Sequence, residues 1–183
     1  MPEYEDHAYI IDYMPNGYPK KRKSKPVAQA VGENCFTLLE LGPKEDVDLY
    51  ERVYVGKGYR EKIAVVLGRL SYDELSKNAQ AELPYAIIEI IKENQDKFTR
   101  FFNESKPITN RRHELEHLPG IGKKTRNKIL EERKKEPFKD LEDVKKRLSS
   151  IPDPSEVLKK RIVKEIKGGD KYNLFVGSDR LFD

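Results

Sequence analysis

Tryptophan is absent from the 183 residues and cysteine occurs once, at Cys35. A single thiol builds neither a disulfide framework nor a cysteine metal cluster, and its rarity suits a reducing compartment. Long apolar runs are missing too. The longest tight one, Ile63 to Leu67, falls far short of the roughly 20 residues that a membrane-spanning helix needs. No phosphate-binding P-loop occurs, and no cluster of carboxylates suggests a two-metal nuclease. The start, Met1-Pro2-Glu3-Tyr4-Glu5-Asp6, is acidic and lacks the basic start and apolar run of a signal peptide. A cytoplasmic protein without membrane association is expected.

Charge, by contrast, is abundant. Charged residues make up 37% of the chain, and so do hydrophobic ones, with a net charge of +4 and a mean hydropathy of −0.81. The charge is unevenly placed. Residues 1–105 carry 15 Lys/Arg against 18 Asp/Glu, whereas residues 106–183 carry 21 against 14. The basic half is where a module that grips a phosphate backbone should lie.

That half contains Leu118-Pro119-Gly120-Ile121-Gly122-Lys123-Lys124-Thr125-Arg126-Asn127-Lys128-Ile129. Arg111 to His117 reads as a polar helix. After the turn, Ile121, Thr125 and Ile129 recur at i, i+4 and i+8, the spacing of one helix face. Pro119 ends the first helix, Gly120 supplies a left-handed conformation, and Gly122 opens the second helix. The first amide N–H groups of that helix have no partner within it and carry the positive end of its dipole, which favours an anion. Lys123, Lys124 and Arg126 would meet the same anion. The alternative is an ordinary tight turn with a solvated basic face. The segment resembles a helix-hairpin-helix motif, through Leu118, Pro119, Gly120, Ile121, Gly122 and Ile129; Arg126 stands where that pattern has a small alanine. The resemblance implies backbone binding without sequence readout, by main-chain amides, and allows a monovalent cation at the turn.

From the start of the chain, alternation predicts strands over 7–13, 27–31, 35–41, 52–55 and 62–70, with turns at Pro15-Asn16-Gly17, Gly32-Glu33-Asn34 and Gly56-Lys57-Gly58. Five short antiparallel strands make a small OB-type barrel. Its candidates for stacking on bases are Tyr13, Tyr18, Tyr54 and Tyr59, while Phe36 and Tyr9 suit the core. Lys20, Lys21, Arg22, Lys23 and Lys25 form a loop without apolar residues, either a phosphate clamp or a solubilising loop. Ser71 and Glu74 read as a capping box. Pro84 suits the first position of a long helix to Phe102, whose stripe Ile87, Ile88, Ile91, Phe98, Phe101 and Phe102 is packing. Ser105-Lys106-Pro107 reads as a domain junction.

A fainter copy of the turn follows. Leu148, Ile151, Pro152 and Ile162 lie 33 residues after Leu115, Leu118, Pro119 and Ile129, with Asp153 and Ser155 in place of the two glycines and Pro154 in place of Ile121. A degenerate second hairpin is expected, with Lys159 and Lys160 adding charge. The expected layout is α+β: an OB-like β-barrel over 1–71, connecting helices over 72–105, and a tandem helix-hairpin-helix domain over 106–183. Gly168-Gly169 ends the last helix, and Tyr172 to Asp183 could be a further strand or an ordered arm.

His113-Glu114-Leu115-Glu116-His117 matches H-E-x-x-H, in which two histidines on one helix face bind zinc. Arg111 and Arg112 beside it oppose a cation, and the helix runs at once into the turn, so a zinc peptidase is disfavoured. A base-excision glycosylase would need an aspartate in an apolar setting, whereas Asp140 and Asp143 stand among Lys and Glu. As a whole, through Tyr9-Ile10-Ile11-Asp12-Tyr13-Met14-Pro15-Asn16-Gly17 and Leu118 to Lys124, the chain resembles domain-of-unknown-function family 655, an archaeal family of uncharacterised proteins. That resemblance implies an OB-like part joined to helix-hairpin-helix repeats, and RNA binding. The expectation is a non-catalytic nucleic-acid-binding protein without a resident cofactor, RNA ahead of DNA; the alternative is an adaptor whose hairpins dock a partner protein.

Overall fold

The structure, a computed structural model, describes residues 5–19 and 25–177. They form two compact units. One gathers the chain up to Ile90 together with the stretch from Val163 onward; the other is Ile91–Ile162. Both boundaries fall inside helices.

The first unit is built on five strands: β1 His7–Met14, β2 Val27–Gly32, β3 Leu38–Pro43, β4 Arg52–Tyr54 and β5 Ile63–Arg69. All pairings are antiparallel and the order is β4-β1-β2-β3-β5. The sheet curls into a half-barrel around Ala8, Ile10, Ala28, Ala30, Leu39, Leu41, Val53 and Ile63, all buried. Alternation puts these residues on one face. Four of the five strands fall close to where alternation places them. The third differs, because Cys35 and Phe36 are not strand but a buried turn, with Phe36 at φ 56°. Glu5 sets that turn: its carboxylate accepts the N–H groups of Asn34 (2.7 Å), Cys35 (2.9 Å) and Thr37 (3.1 Å). The glycine-rich link between β4 and β5 is not a hairpin either, since β4 pairs with β1 and β5 with β3.

The Ser71–Glu74 capping box is present but caps a single 3-10 turn, Tyr72–Glu74. Helix α1, Lys77–Glu93, follows, its start capped by Ser76 Oγ accepting the Ala79 N–H at 2.9 Å. Gln29, fully buried in β2, accepts the Ser76 N–H at 2.9 Å and so fixes where α1 leaves the sheet. Pro84 stands inside α1, not at its first position, so the Gln80 carbonyl lacks its i+4 donor. The long helix expected to reach Phe102 breaks at Asn94 (φ −120°, ψ 38°), and α2 runs Gln95–Glu104. The expected apolar stripe is buried apart from Ile88, which is half-buried.

In the second unit, Arg111–His117 is not a helix. β6 Pro107–Thr109 pairs with β7 Arg112–His113, and one 3-10 turn, Glu114–His117, follows. Carboxylates set this outcome: Glu114 accepts the Lys106 N–H and Glu116 the His113 N–H, both at 2.8 Å. Then come α3 Lys123–Lys135, α4 Leu141–Arg147 and α5 Pro154–Lys167. Ser105 is buried at the end of α2, where its main-chain and hydroxyl oxygens accept from Arg133 at 3.0 and 3.1 Å. In the first unit, after Gly168 and Gly169, both at positive φ, the tail as far as Gly177 is an ordered arm. Glu165 holds it by accepting the N–H groups of Leu174, Phe175 and Val176.

Candidate nucleic-acid interface

The 33-residue echo in the sequence is an echo in space. Leu115, Leu118 and Ile129 are buried, and so are their counterparts Leu148, Ile151 and Ile162. The Leu118 N–H donates to the Leu115 carbonyl at 3.1 Å, and the Ile151 N–H to the Leu148 carbonyl at 3.0 Å. At the next step Ile121 donates to Leu118 at 3.2 Å, a bond that its counterpart Pro154 cannot make. The two turns therefore begin alike and then diverge.

They diverge at the helix start. Gly120 has φ 81°, the left-handed conformation expected of it, and Gly122 caps α3 from an extended conformation with no side chain to offer. A Cβ placed on Gly122 would meet nothing within 4 Å. The opening turn of α3 is therefore uncovered, and Gly120, Gly122, Lys123 and Lys124 are all exposed. In the second turn Asp153 stands where Gly120 stands in the first. Its carboxylate accepts the Ser155 N–H at 3.0 Å and pairs with Lys145 at 3.0 Å. Burial alone would raise the Asp153 carboxyl, but Lys145 and the Ser155 and Glu156 amides outweigh it and hold it below the usual range. One turn carries its own anion and the other leaves the equivalent place open.

The remaining candidates divide. Ile121 is buried, so only its main chain can face a ligand. Arg126 fills the alanine position by turning back: its guanidinium reaches Glu116 Oε2 at 3.0 Å and Asn127 Oδ1 at 2.9 Å. Burial would raise the Glu116 carboxyl, but the His113 N–H and Arg126 together pull it down. Arg126 thus braces the turn. Lys159 pairs with Glu156 on its own helix, while Lys160 is exposed. Lys20, Lys21, Arg22 and Lys23 lie outside the described residues; Lys25 is exposed just before β2. Tyr13 and Tyr18 donate their hydroxyls to Asp46 at 2.6 Å and Glu40 at 2.7 Å. Tyr54 packs edge-on to His7 and accepts the Gly58 N–H. Tyr59 is 84% exposed, with the Lys44 ammonium 4.9 Å from its ring centre.

His113 is extended (φ −115°, ψ 149°) and its Nδ1 accepts the Leu115 N–H at 3.2 Å. Burial, then the Arg133 guanidinium, lower its pKa. With His113 before a 3-10 turn and His117 at its end, the two histidines do not share an α-helical face. Among the described residues no group of three or more His, Cys, Asp or Glu could hold a metal ion. A monovalent cation takes oxygen donors. The exposed Pro119–Gly120 stretch has main-chain carbonyls of that type, whereas those of Leu115 and Leu118 already accept N–H groups.

Sequence reasoning missed the supporting arginines. Arg161 is almost fully buried and donates to the His117 carbonyl at 3.3 Å, which ties α5 to the turn before α3. Arg147 donates to the Glu132 and Glu136 carbonyls and lies over the Phe138 ring, 4.4 Å from its centre. It also missed the cap on α5, although Asp153-Pro154 carries the signal of an N-cap followed by proline at the first helical position.

Comparison with known proteins places this arrangement. The family model described as "Protein of unknown function (DUF655)" matches residues 4–177. The chain belongs to this family. It is 44% identical over 178 residues to an uncharacterised protein of Methanocaldococcus jannaschii, a match covering 95% of this chain and 81% of the relative. The crystal structure of Af1531 from Archaeoglobus fulgidus, of the same family, superposes with a TM-score of 0.87 at 44% identity. That match covers 93% of this chain and 99% of the other. No helix among the described residues is long and apolar enough to cross a membrane.

Proposed function

We propose that the chain is a non-catalytic nucleic-acid-binding protein that grips the phosphate backbone, RNA ahead of DNA, through the uncovered turn at the start of α3. We read 108–167 as a pair of helix-hairpin-helix motifs, the second degenerate in its turn and the first with its leading helix reduced to the 3-10 turn Glu114–His117. The observation that carries the reading is the contrast within this pair. Where the second motif supplies the Asp153 carboxylate to its helix start, the first has Gly120 and Gly122, no side-chain cap and two exposed lysines. The opening amides of a helix with no cap are left to water or to an external anion, and a phosphate there is favoured by the helix dipole. Lys123 and Lys124 add charge that positions the backbone without reading sequence.

The preference for RNA comes from the half-barrel. A half-barrel of the OB type offers the β1–β2 and β4–β5 loops to single strands. Here those loops hold Lys20 to Lys25 and Lys57 to Lys62. The test is a binding titration of the full chain against RNA and DNA at two salt concentrations. Binding to both that weakens linearly in log salt, with RNA tighter, supports the reading. Binding that ignores salt, or none, would leave the adaptor as the better account.

A further inference from the structure

Between Ser105 and Leu130 the chain carries seven Lys/Arg and two acids, Glu114 and Glu116. Both acids are engaged within the fold. Glu114 closes the foot of the β6–β7 ribbon twice: its carboxylate accepts the Lys106 N–H at 2.8 Å, and its own N–H donates to the Lys106 carbonyl at 3.1 Å. Glu116 ties the ribbon to α3, because one oxygen, Oε2, accepts the His113 N–H at 2.8 Å and Arg126 Nη1 at 3.0 Å. Within His113–His117 the two glutamates therefore serve as clasps. At the ribbon's tip, Thr109 Oγ1 accepts the N–H groups of Arg111 at 3.3 Å and Arg112 at 3.1 Å. The main chain is thus held at foot and tip, whereas the side chains of Arg111 and Arg112 are exposed and pair with no acid among the described residues. Elsewhere in this unit acids answer the cations: Glu132 pairs with Lys135, Glu136 with Lys139 and Asp143 with Arg147.

A clasped ribbon with two unanswered guanidinium groups, tied to a cationic helix start, fits an extended polyanion. We infer that the β6–β7 ribbon is a second backbone contact of the nucleic acid, in which Arg111 and Arg112 take phosphates neighbouring the one at the start of α3. Arg112 directly precedes His113, and the Arg126 N–H donates to the Gly122 carbonyl at 2.9 Å. The Glu116 bridge therefore runs from the ribbon to the first turn of α3. A backbone held at one phosphate presents further charges about every 3.4 Å of helix axis on each strand. The planar arginine fork grips such a group by two parallel hydrogen bonds. An acidic protein surface would meet the arginines alone, whereas the continuous charge of a backbone meets ribbon and helix start together. The inference rests on the reading of α3 as a phosphate site and deepens it by naming a second anchor.

The experiment titrates a short fluorescein-labelled RNA strand with the full chain over a range of salt. It compares the unaltered chain, Arg111→Gln with Arg112→Gln, and Arg111→Lys with Arg112→Lys. Both side chains are exposed and the Thr109 bonds use main-chain N–H groups, so a thermal melt should show folding unchanged. Loss of two phosphate contacts should lower the salt slope by about 1.4 on a single strand, which makes the loss of affinity about 25-fold greater at low salt than at tenfold higher salt. Lysine keeps the charge and should keep the slope. Placed on Gly122→Ala, the glutamine pair should weaken binding by the same factor as on the unaltered chain, since the two places hold different phosphates. An unchanged slope, or no further loss on the Gly122→Ala background, overturns the inference. If Gly122→Ala weakens binding and the glutamine pair does not, the ribbon alone fails. If the unaltered chain binds no RNA, the parent reading fails with it.

Discussion

Gly122→Ala separates a turn that holds phosphate from one that merely leads the chain into α3. Gly122 has φ −95° and ψ −174°, a conformation open to any residue, and the added methyl meets nothing within 4 Å. Two opposing effects set the stability change. Alanine is a poorer N-cap than glycine, at a cost of up to about 1 kcal/mol. It also restricts the unfolded chain, which returns about 0.4–1 kcal/mol. The difference is within about 0.5 kcal/mol, so the melting temperature should move by no more than roughly 2 °C. Binding should respond more strongly. The methyl stands in the open space before the first amides of α3, where it would keep a phosphate from its hydrogen bonds. Removing one hydrogen bond to a charged group costs about 1.5–3 kcal/mol, a factor of about ten or more in affinity. The assay is fluorescence anisotropy on several unrelated RNA and DNA sequences, paired with a thermal melt. Unchanged melting with unchanged affinity would mean that the turn only leads the chain into α3.

The remaining predictions contrast structure with charge. Asp153→Ala should destabilise the chain by about 1 kcal/mol through removal of the cap on α5, the exposed Lys145 pair adding little, while affinity for nucleic acid holds; a melt and a titration check both. Gly120→Val, at φ 81°, should damage folding as well as binding, visible as a lower melting temperature. Replacing Lys20, Lys21, Arg22, Lys23 and Lys25 by Gln should lower the salt slope by about 0.7 for each phosphate no longer neutralised on a single strand; an unchanged slope makes the loop a solubilising one. For His113, whose folded pKa is depressed below its ordinary 6.5, the stability it contributes is whole above that value. It is lost as pH falls from there through the folded pKa. Melts from neutral to mildly acidic pH should show this loss, and His113→Asn should reduce it.

Much of this was legible in residue order because the determinants are local. Ile121, Thr125 and Ile129 mark α3, Gly120 marks the positive φ, and alternation marks β1 and β2. What stayed hidden depends on residues distant in the chain. The turn at Cys35 and Phe36 is dictated by Glu5, about thirty positions earlier. Arg111–His117 has the composition of a helix, yet the carboxylates of Glu114 and Glu116 bind nearby backbone amides in another conformation, the competition that makes local side-chain bonds rival helices. The strand pairing that leaves the seam beside β4 and β5 open is likewise tertiary. Within the candidate site, the sequence located the glycines and lysines but not the inward turn of Arg126 to Glu116. A long flexible side chain finds its partner only once the fold brings one near.

The proposal that this turn holds phosphate is tested most squarely by the backbone amide spectrum of the full chain, titrated with a short RNA strand at low salt. Gly122, Lys123 and Lys124 should shift progressively and saturate together. The counterparts of Gly122 and Lys123, Ser155 and Glu156, already facing the Asp153 carboxylate, should stay in place. Shifts that leave 120–125 untouched while the RNA is bound elsewhere would contradict the claim that this turn holds the phosphate.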